Sequence, residues 1–375
     1  MAKDKTLKSP PESDDKNGVG RRDFLKITTA SAGLIALGSR DANGDEPKRF
    51  PSPAIATAAK HDVVVVGAGL WGSYTAYHLR RKGAKVTLVD QFGPGNSRAT
   101  SGDETRGVRS TYGDRESGEL WMLWAREAMQ RWTEFDKEWS KYWKMQVFFE
   151  TGDLCFRATP DDPIIKRTRE WYDKHKIHYE MLSPADVKKT WPVIRIDGIP
   201  DVADITHILY EKEAGVLRAR RAAQYGAAAL EKLGGTVKIG RVNPIKGVGG
   251  KLDGIQLDTG EKIIGDTYVF ALGPWHRTFF PELLGDRMRT PLASVCYFAT
   301  PPGDERFTYP NMPSYNFPGT TGWVALPIDN RGFRVRGGAG RAPGAAGAPG
   351  TGGTAGTGAA AGTAGTAGTG GQRGD

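Results

Sequence analysis

Three glycines spaced Gly67-x-Gly69-x-x-Gly72 within "GAGLWG", together with an acid at Asp90, are the residues whose types and spacing point most directly to chemistry. Gly67 permits a tight turn, Gly69 lets a pyrophosphate approach the backbone, and Gly72 lets a helix pack closely on a strand. Ala68, Leu70 and Trp71 complete the turn. A helix that begins there offers free N–H groups and the positive end of its dipole to phosphates. A carboxylate about twenty residues further on, at the end of a second strand, accepts hydrogen bonds from ribose hydroxyls. Asp90 meets that requirement, Gln91 follows it, and a negative charge there disfavours a 2′-phosphate. A dinucleotide is expected, and NADP is not. A second pair, Arg106 and Arg109, offers guanidinium groups, the best bidentate partners for a carboxylate. The competing reading is salt bridging of these arginines with Asp103, Glu104 or Asp114 at the surface.

The elements that must position these residues are legible in part. Val63 to Val66 form a continuous apolar run, as in a central parallel strand covered on both faces. A helix is expected over Ser73 to Arg81, with Ala76 and Leu79 on its inner face, and "KVTLVD" is the next strand. A long polar loop then runs to Asp114, followed by the amphipathic helix "ESGELWMLWAREAMQRWTEFDKEW". "GGTVKIGRV" reads as a turn and strand, "DTYVFALGPWHRTFF" as a buried strand ending at Gly273, and "GWVALPIDNRGFRVR" as two strands and a turn. Strand, GxGxxG, helix, strand and acid in that order give an α/β fold with a Rossmann-like nucleotide-binding domain.

The segment after Asp90 resembles the glycine and sarcosine oxidase branch of the D-amino-acid oxidase-like flavoenzymes, which also holds N-methyltryptophan oxidases. The matching residues are Ser101-Gly102-Asp103, Thr105-Arg106-x-x-Arg109 and Tyr112-Gly113. The resemblance implies FAD as cofactor and Thr105 and Arg106 as flavin contacts. It makes Arg109 the clamp for a substrate carboxylate. It extends to Val242, whose backbone would meet the adenine, and to Ala271, Gly273 and Trp275, which match an A-x-G-x-W segment near the pyrophosphate. The implied activity is oxidation of a C–N bond in a small amine or amino acid, by hydride transfer to flavin N5 and hydrolysis of the imine. The electron acceptor, O2 or another, is left open, because Arg334 stands where some oxidases carry a lysine that helps oxygen react. The implied architecture is an FAD-binding domain with an interleaved α+β substrate domain, incomplete at the C-terminus. It covers residues 60–336, with FAD-binding parts at about 60–115 and 205–280 and substrate-domain parts at about 116–204 and 281–336. Two other readings stand beside it: a truncated, inactive exported fragment that still holds FAD or ADP, and an NAD-dependent dehydrogenase.

Composition narrows the field. The net charge of +9 is dispersed through segments such as "HLRRKGAK" rather than gathered into a stripe, so nucleic acid is not an expected partner. Cys155 and Cys296 show no metal-ligand spacing and read as two unpaired, mostly buried thiols. No metal is expected. At the N-terminus, Arg21-Arg22 precede a short apolar run that ends near Gly38, less than the roughly 20 residues of a membrane span. Residues 1–44 therefore read as a twin-arginine signal and spacer, which implies the twin-arginine export machinery as a partner and a periplasmic or extracellular location. From Gly337 to Asp375 the chain has no Leu, Ile, Val, Phe, Tyr or Trp, so it cannot offset backbone entropy by burial and reads as a disordered tail.

Overall fold

The computed structural model describes residues 61–197, 204–243, 252–290, 294–327 and 331–337. The signal expected at 1–44 and, beyond Gly337, the tail fall outside them. The run of valines becomes β1 (Asp62–Val66), with Val64 and Val65 fully buried. It pairs in parallel with β2 (Lys85–Asp90) on one side and β12 (Thr267–Phe270) on the other. β2 in turn pairs in parallel with β9 (Thr236–Ile239), giving the order β12-β1-β2-β9. The strand at β12 is shorter and more exposed than expected. It stops at Phe270 and is half-buried, because it lies at the sheet edge.

Helix α1 (Leu70–Arg81) starts three residues before the expected Ser73. Gly69 is already its N-cap, and Ser73 N donates to Gly69 O at 2.9 Å to close the first turn. Helix α4 (Ala219–Lys232) packs against α1 through Ala222 and Ala229 with Tyr77, small side chains that allow a close approach. Helix α2 (Gly118–Trp143) is the amphipathic helix expected from its pattern. Its inner face buries Met129, Trp132, Phe135 and Trp139 against Tyr77 and Ala222, which fixes it to the nucleotide-binding layer.

The polar loop after Asp90 is not wholly loop. Arg106–Val108 form β3, antiparallel to β8 (Gly215–Leu217), which also pairs with β4 (Phe148–Phe149). Three residues are too few for an alternation to show in sequence.

The substrate-side sheet has seven strands. They are β5 (Asp153–Arg157), β6 (Glu180–Leu182), β7 (His207–Glu211), β13 (Cys296–Phe298), β14 (Ser314–Phe317), β15 (Thr320–Trp323) and β16 (Phe333–Gly337), in the order β13-β16-β15-β14-β5-β7-β6. β7 lies within the stretch expected to serve the cofactor, yet it pairs with β5 and belongs to this sheet. Strand register decides the faces, because side chains alternate along a strand. Leu154, Phe156, Ile208, Phe317 and Phe333 point to one side and form the apolar core. Asp153, Cys155, Arg157, Glu211, Ser314, Asn316, Trp323 and Arg334 share the other side. Helix α3 (Pro163–His175) covers part of that second face, with Ile165 and Tyr172 on Cys155 and Leu209.

Both cysteines are free: Cys155 is buried, as expected, and Cys296 is exposed, because it lies on the edge strand β13. Among the described residues no helix is long and apolar enough to cross a membrane, and no cluster of His, Cys, Asp or Glu is arranged to hold a metal.

Candidate active site

At Gly67 and Gly72 the turn is set by contacts that no side chain tolerates. Gly67 has φ +103°, and a Cβ there would lie 2.4 Å from Ala271 O. A Cβ on Gly72 would lie 1.7 Å from Gly67 O. A Cβ on Gly69 would meet only Ser101 Oγ, at 3.4 Å, so the backbone at Gly69 is open on its outer side. Leu70 N donates to Ser101 Oγ at 3.0 Å, which leaves the other first-turn amides of α1 without intrahelical acceptors. Trp71 stands 80% exposed beside them. Asp90 closes the turn from β2: its Oδ2 accepts from Ala68 N at 2.8 Å and its Oδ1 from Phe92 N at 2.8 Å and Asn96 Nδ2 at 3.2 Å. A carboxylate has about four acceptor positions. Asp90 therefore latches the turn with most of them and keeps room for a ribose hydroxyl. Gln91 is exposed beside it.

Val242 makes a bridge to Leu257 in which its neighbours carry the bonds: Asp258 N donates to Arg241 O and Asn243 N to Gln256 O. In such a non-hydrogen-bonded pair the residue's own N–H and C=O face the other way. Val242 thus turns a donor and an acceptor outward, the pair an adenine edge requires. Ala271 N is held by Val66 O at 2.8 Å, and Gly273 and Trp275 lie exposed beyond it. An open glycine backbone, a helix start and a spare carboxylate position form a donor set that fits an adenine dinucleotide.

The segment from Asp103 to Ser110 runs along the polar face of the seven-stranded sheet and is tied to it at four points. Asp103 Oδ2 accepts from Arg106 Nη1 at 2.7 Å and from Arg334 Nε and Nη2 at 3.0 and 2.6 Å, while Tyr297 Oη donates to Oδ1 at 2.5 Å. Gly107 abuts the Trp323 indole, where a Cβ would lie 1.8 Å from Nε1. With the Asn316 amide oxygen turned toward it, Arg109 reaches that oxygen with Nε and Nη2, both at 3.2 Å. Ser110 N and Oγ both donate to Glu211. Arg334 is fully buried, with its guanidinium carbon 3.8 Å from the centre of the Trp323 ring. Burial works to raise the Asp103 pKa, but the Tyr297 hydroxyl and the two arginines outweigh it and hold the carboxyl below its ordinary value. Burial lowers the pKa of Arg106 despite Asp103. Thr105 is buried between these anchors.

The two arginines have separate partners. Arg106 is committed to Asp103 and to Thr100 O at 2.7 Å. Glu104 is taken by Arg220 and Arg331 at 3.3 and 3.2 Å. None of the ion pairs among the described residues includes Arg109, so the competing reading of a bridge to Asp103, Glu104 or Asp114 holds for Arg106, which pairs with Asp103, and not for Arg109. The guanidinium of Arg109 lies 5.8 Å from the Tyr112 ring centre and faces the sheet.

Residues 62–362 match the family described as FAD dependent oxidoreductase (DAO). The chain belongs to this family. The match decides between the two dinucleotides in favour of FAD and sets aside the nicotinamide reading. A monomeric sarcosine oxidase of Arthrobacter sp. (strain TE1826) is 25% identical over 224 residues, which is 60% of this chain and 54% of that protein. The peroxisomal sarcosine oxidase of Mus musculus is 28% identical and shares 63% of this chain and 57% of its own length. An N-methyl-L-tryptophan oxidase of Citrobacter koseri is 24% identical over 74% of this chain and 69% of its own. The chain thus spans little more than half the length of the sarcosine oxidases it matches. Among solved structures, glycine oxidase from Bacillus cereus ATCC 14579 superposes with a TM-score of 0.58 at 18% identity, over 74% of this chain and 70% of that one. That likeness confirms the mixed α/β architecture of this family.

Several residues of the sheet's polar face escaped the sequence reading: Ser110, Asp153, Glu211, Asn316 and Trp323. One signal was available. "TGDLCFR" alternates Asp153, Cys155 and Arg157 with Leu154 and Phe156, the pattern of a strand with one polar face. Of the aromatics that could wall a site, Phe156 stacks on Phe317 in the core with Tyr315 beside it, Tyr297 and Tyr112 border the arginines, and Trp121 and Trp124 are exposed.

Proposed function

We propose that this chain oxidises a C–N bond of a small, carboxylate-bearing amine or amino acid, with Arg109 as the group that binds the carboxylate. The observation that carries the reading is Arg109 itself: a guanidinium held over the polar face of the substrate sheet by Asn316, with no acidic partner among the described residues. A guanidinium that meets an amide oxygen and no carboxylate keeps N–H donors and its full charge for an incoming carboxylate. The relatives' names support the class, since sarcosine, glycine and N-methyl-L-tryptophan are amino acids that carry this group.

FAD, when bound at the glycine turn, supplies the acceptor for the substrate's hydride at its N5 atom. The chain's own residues do the rest. Gly69 and the start of α1 hold the pyrophosphate, Asp90 and Val242 hold the two ends of the adenosine, and Thr105 and Arg106 border the flavin. Asp103 and Arg334 lock the segment that carries Arg109, so the clamp is set before substrate arrives. The electron acceptor is O2 or another oxidant. In the full chain with FAD, Arg109→Ala should raise KM for carboxylate-bearing amines about tenfold or more, the weight of one charge-assisted pair, and leave simple amines unaffected. Equal loss for both substrate classes would remove Arg109 from this role. FAD binding without turnover of any amine would favour the alternative of a nucleotide-holding fragment.

The same proposal includes export by the twin-arginine route, on the Arg21-Arg22 motif. Replacing both with lysine should retain the protein in the cytoplasm, measured by cell fractionation.

A further inference from the structure

The polar face of the seven-stranded sheet holds a charge that the chemistry above does not use. Asp153, the first residue of β5, is 3% exposed, and its Oδ2 has no hydrogen-bond partner. Ser314 on β14 and Glu211 on β7 are its register partners. Two residues along, Cys155 is in register with Asn316, whose amide meets Arg109. Asp153 and Arg109 therefore occupy neighbouring positions over one face without forming a direct ion pair.

The other groups around Asp153 are already committed. From β5, Arg157 donates Nη1 to Phe156 O at 2.5 Å and to Asn316 O at 3.0 Å, and its Nε lies 3.5 Å from Asp162. From β7, Glu211 accepts from Ser110 N and Oγ and faces Arg126 of α2 at 3.5 Å. From α3, the Tyr172 hydroxyl pairs with Ser110 Oγ at 2.8 Å. Burial pushes the Cys155 thiol up to about 12, so it stays neutral. Burial also raises the Asp153 carboxyl to about 6, with Arg109 and Arg157 opposing the rise and Glu211 adding to it. A buried carboxyl beside a guanidinium that has no direct ion pair is thus poised between two protonation states, and its charge is held mainly by Arg109.

We propose that Asp153 couples carboxylate binding at Arg109 to the uptake of one proton. The incoming carboxylate becomes the counter-charge of Arg109, Asp153 loses that support, and it takes a proton from solvent to become a neutral acid. The net charge of the buried cluster is then the same before and after binding, so the sheet face never holds two uncompensated carboxylates. The inference rests on Arg109 as the carboxylate site. By linkage, an event that raises a group's pKa is itself favoured by protons. Anion binding is therefore strongest below the free carboxyl's pKa and weakens as pH rises above it.

The test is isothermal calorimetry of the full 375-residue chain saturated with FAD, titrated with acetate, which has a carboxylate and no amine. Runs in two buffers of different ionisation enthalpy read the protons exchanged. Uptake should approach one proton per acetate at pH 7 and shrink at pH 5, and affinity should fall by up to about tenfold per pH unit above 6. Asp153→Asn should bind acetate with no uptake and a flat pH profile. In the unsubstituted chain, infrared difference spectra should show a protonated carboxyl appearing on acetate addition, which reads Asp153 without any variant. Acetate binding to that chain with no proton uptake would overturn the coupling and leave the Arg109 clamp standing. Failure of the FAD-loaded chain to bind acetate at all would remove the clamp, and the coupling with it.

Discussion

The nucleotide turn and the polar sheet face are built on opposite plans. Around Gly67, Gly69 and Gly72 the chain does its work with backbone: amides, a helix start and glycines whose missing Cβ atoms make room. Across the seven-stranded sheet it works with side chains, through Asp103, Arg334, Asn316, Glu211 and Asp153, which only strand register brings together. The first plan fails by steric exclusion, and the second fails by leaving charges unpaired. Substitutions in the two regions should therefore differ in size, in pH dependence and in what they abolish.

The largest effect is expected at Gly72. A Cβ 1.7 Å from Gly67 O cannot be relieved by rotating a side chain, because both groups are backbone. Gly72→Ala should cost more than about 4 kcal/mol, in the exceptional range for one substitution, and should do so equally at all pH values. Chemical denaturation of the purified chain measures it. A cost near that of a surface substitution would mean that α1 does not pack on β1 as described.

A smaller and pH-dependent effect is expected at Asp103. Removing it leaves the fully buried Arg334 without its carboxylate, and breaking such a pair costs about 3 kcal/mol. The Asp103 pKa is held below its ordinary value in the folded chain. Its contribution is therefore present above the unfolded carboxyl's pKa and is lost as pH falls through the folded value. Asp103→Asn should lower stability at neutral pH, and the gap from the parent chain should close in acid. A gap that stays constant with pH would show that Asp103 acts by packing alone.

Asp153 inverts that sign and sharpens the comparison further. Its folded pKa is about 6, above the ordinary carboxyl value of 3.8. Stability from this group is full below the unfolded value and lost as pH rises through about 6. The shift of about two units corresponds to on the order of 3 kcal/mol at most. Asp153→Asn should flatten the fall in stability between about pH 4 and pH 6, read from thermal midpoints across that window. An unchanged slope would place the titration elsewhere.

The same contrast explains what could be read in the sequence. The turn was legible because its geometry demands residue types at fixed short spacing, so "VVVVGAGLWG" and Asp90 declare it locally. The amphipathic pattern of α2 and the strands at "KVTLVD" and "TVKI" were legible for the same reason. The helix start was misplaced by three residues because Gly69 caps α1 from inside the motif. The polar face was not legible, because Asp103 meets Arg334 across a separation of 231 residues and no local spacing encodes that contact. Resemblance to the family supplied Arg106 and Arg109 but said nothing of Asp153, Asn316 or Trp323. Those emerge only when β5, β14 and β15 are laid side by side.

The central claim is that the turn at Gly67–Gly72 holds FAD. Titration of the full chain with FAD, followed by calorimetry and by the flavin's visible absorbance, tests it in the parent chain and in Gly69→Val. The branched side chain would fill the open backbone that the pyrophosphate needs, so the parent should bind and the variant should bind at least about tenfold more weakly, a loss of about 1.4 kcal/mol. Without FAD the variant's thermal midpoint should fall only by the modest cost of replacing an N-cap glycine, because a Cβ at Gly69 meets only Ser101 Oγ. Equal FAD affinity in the two proteins would contradict the account.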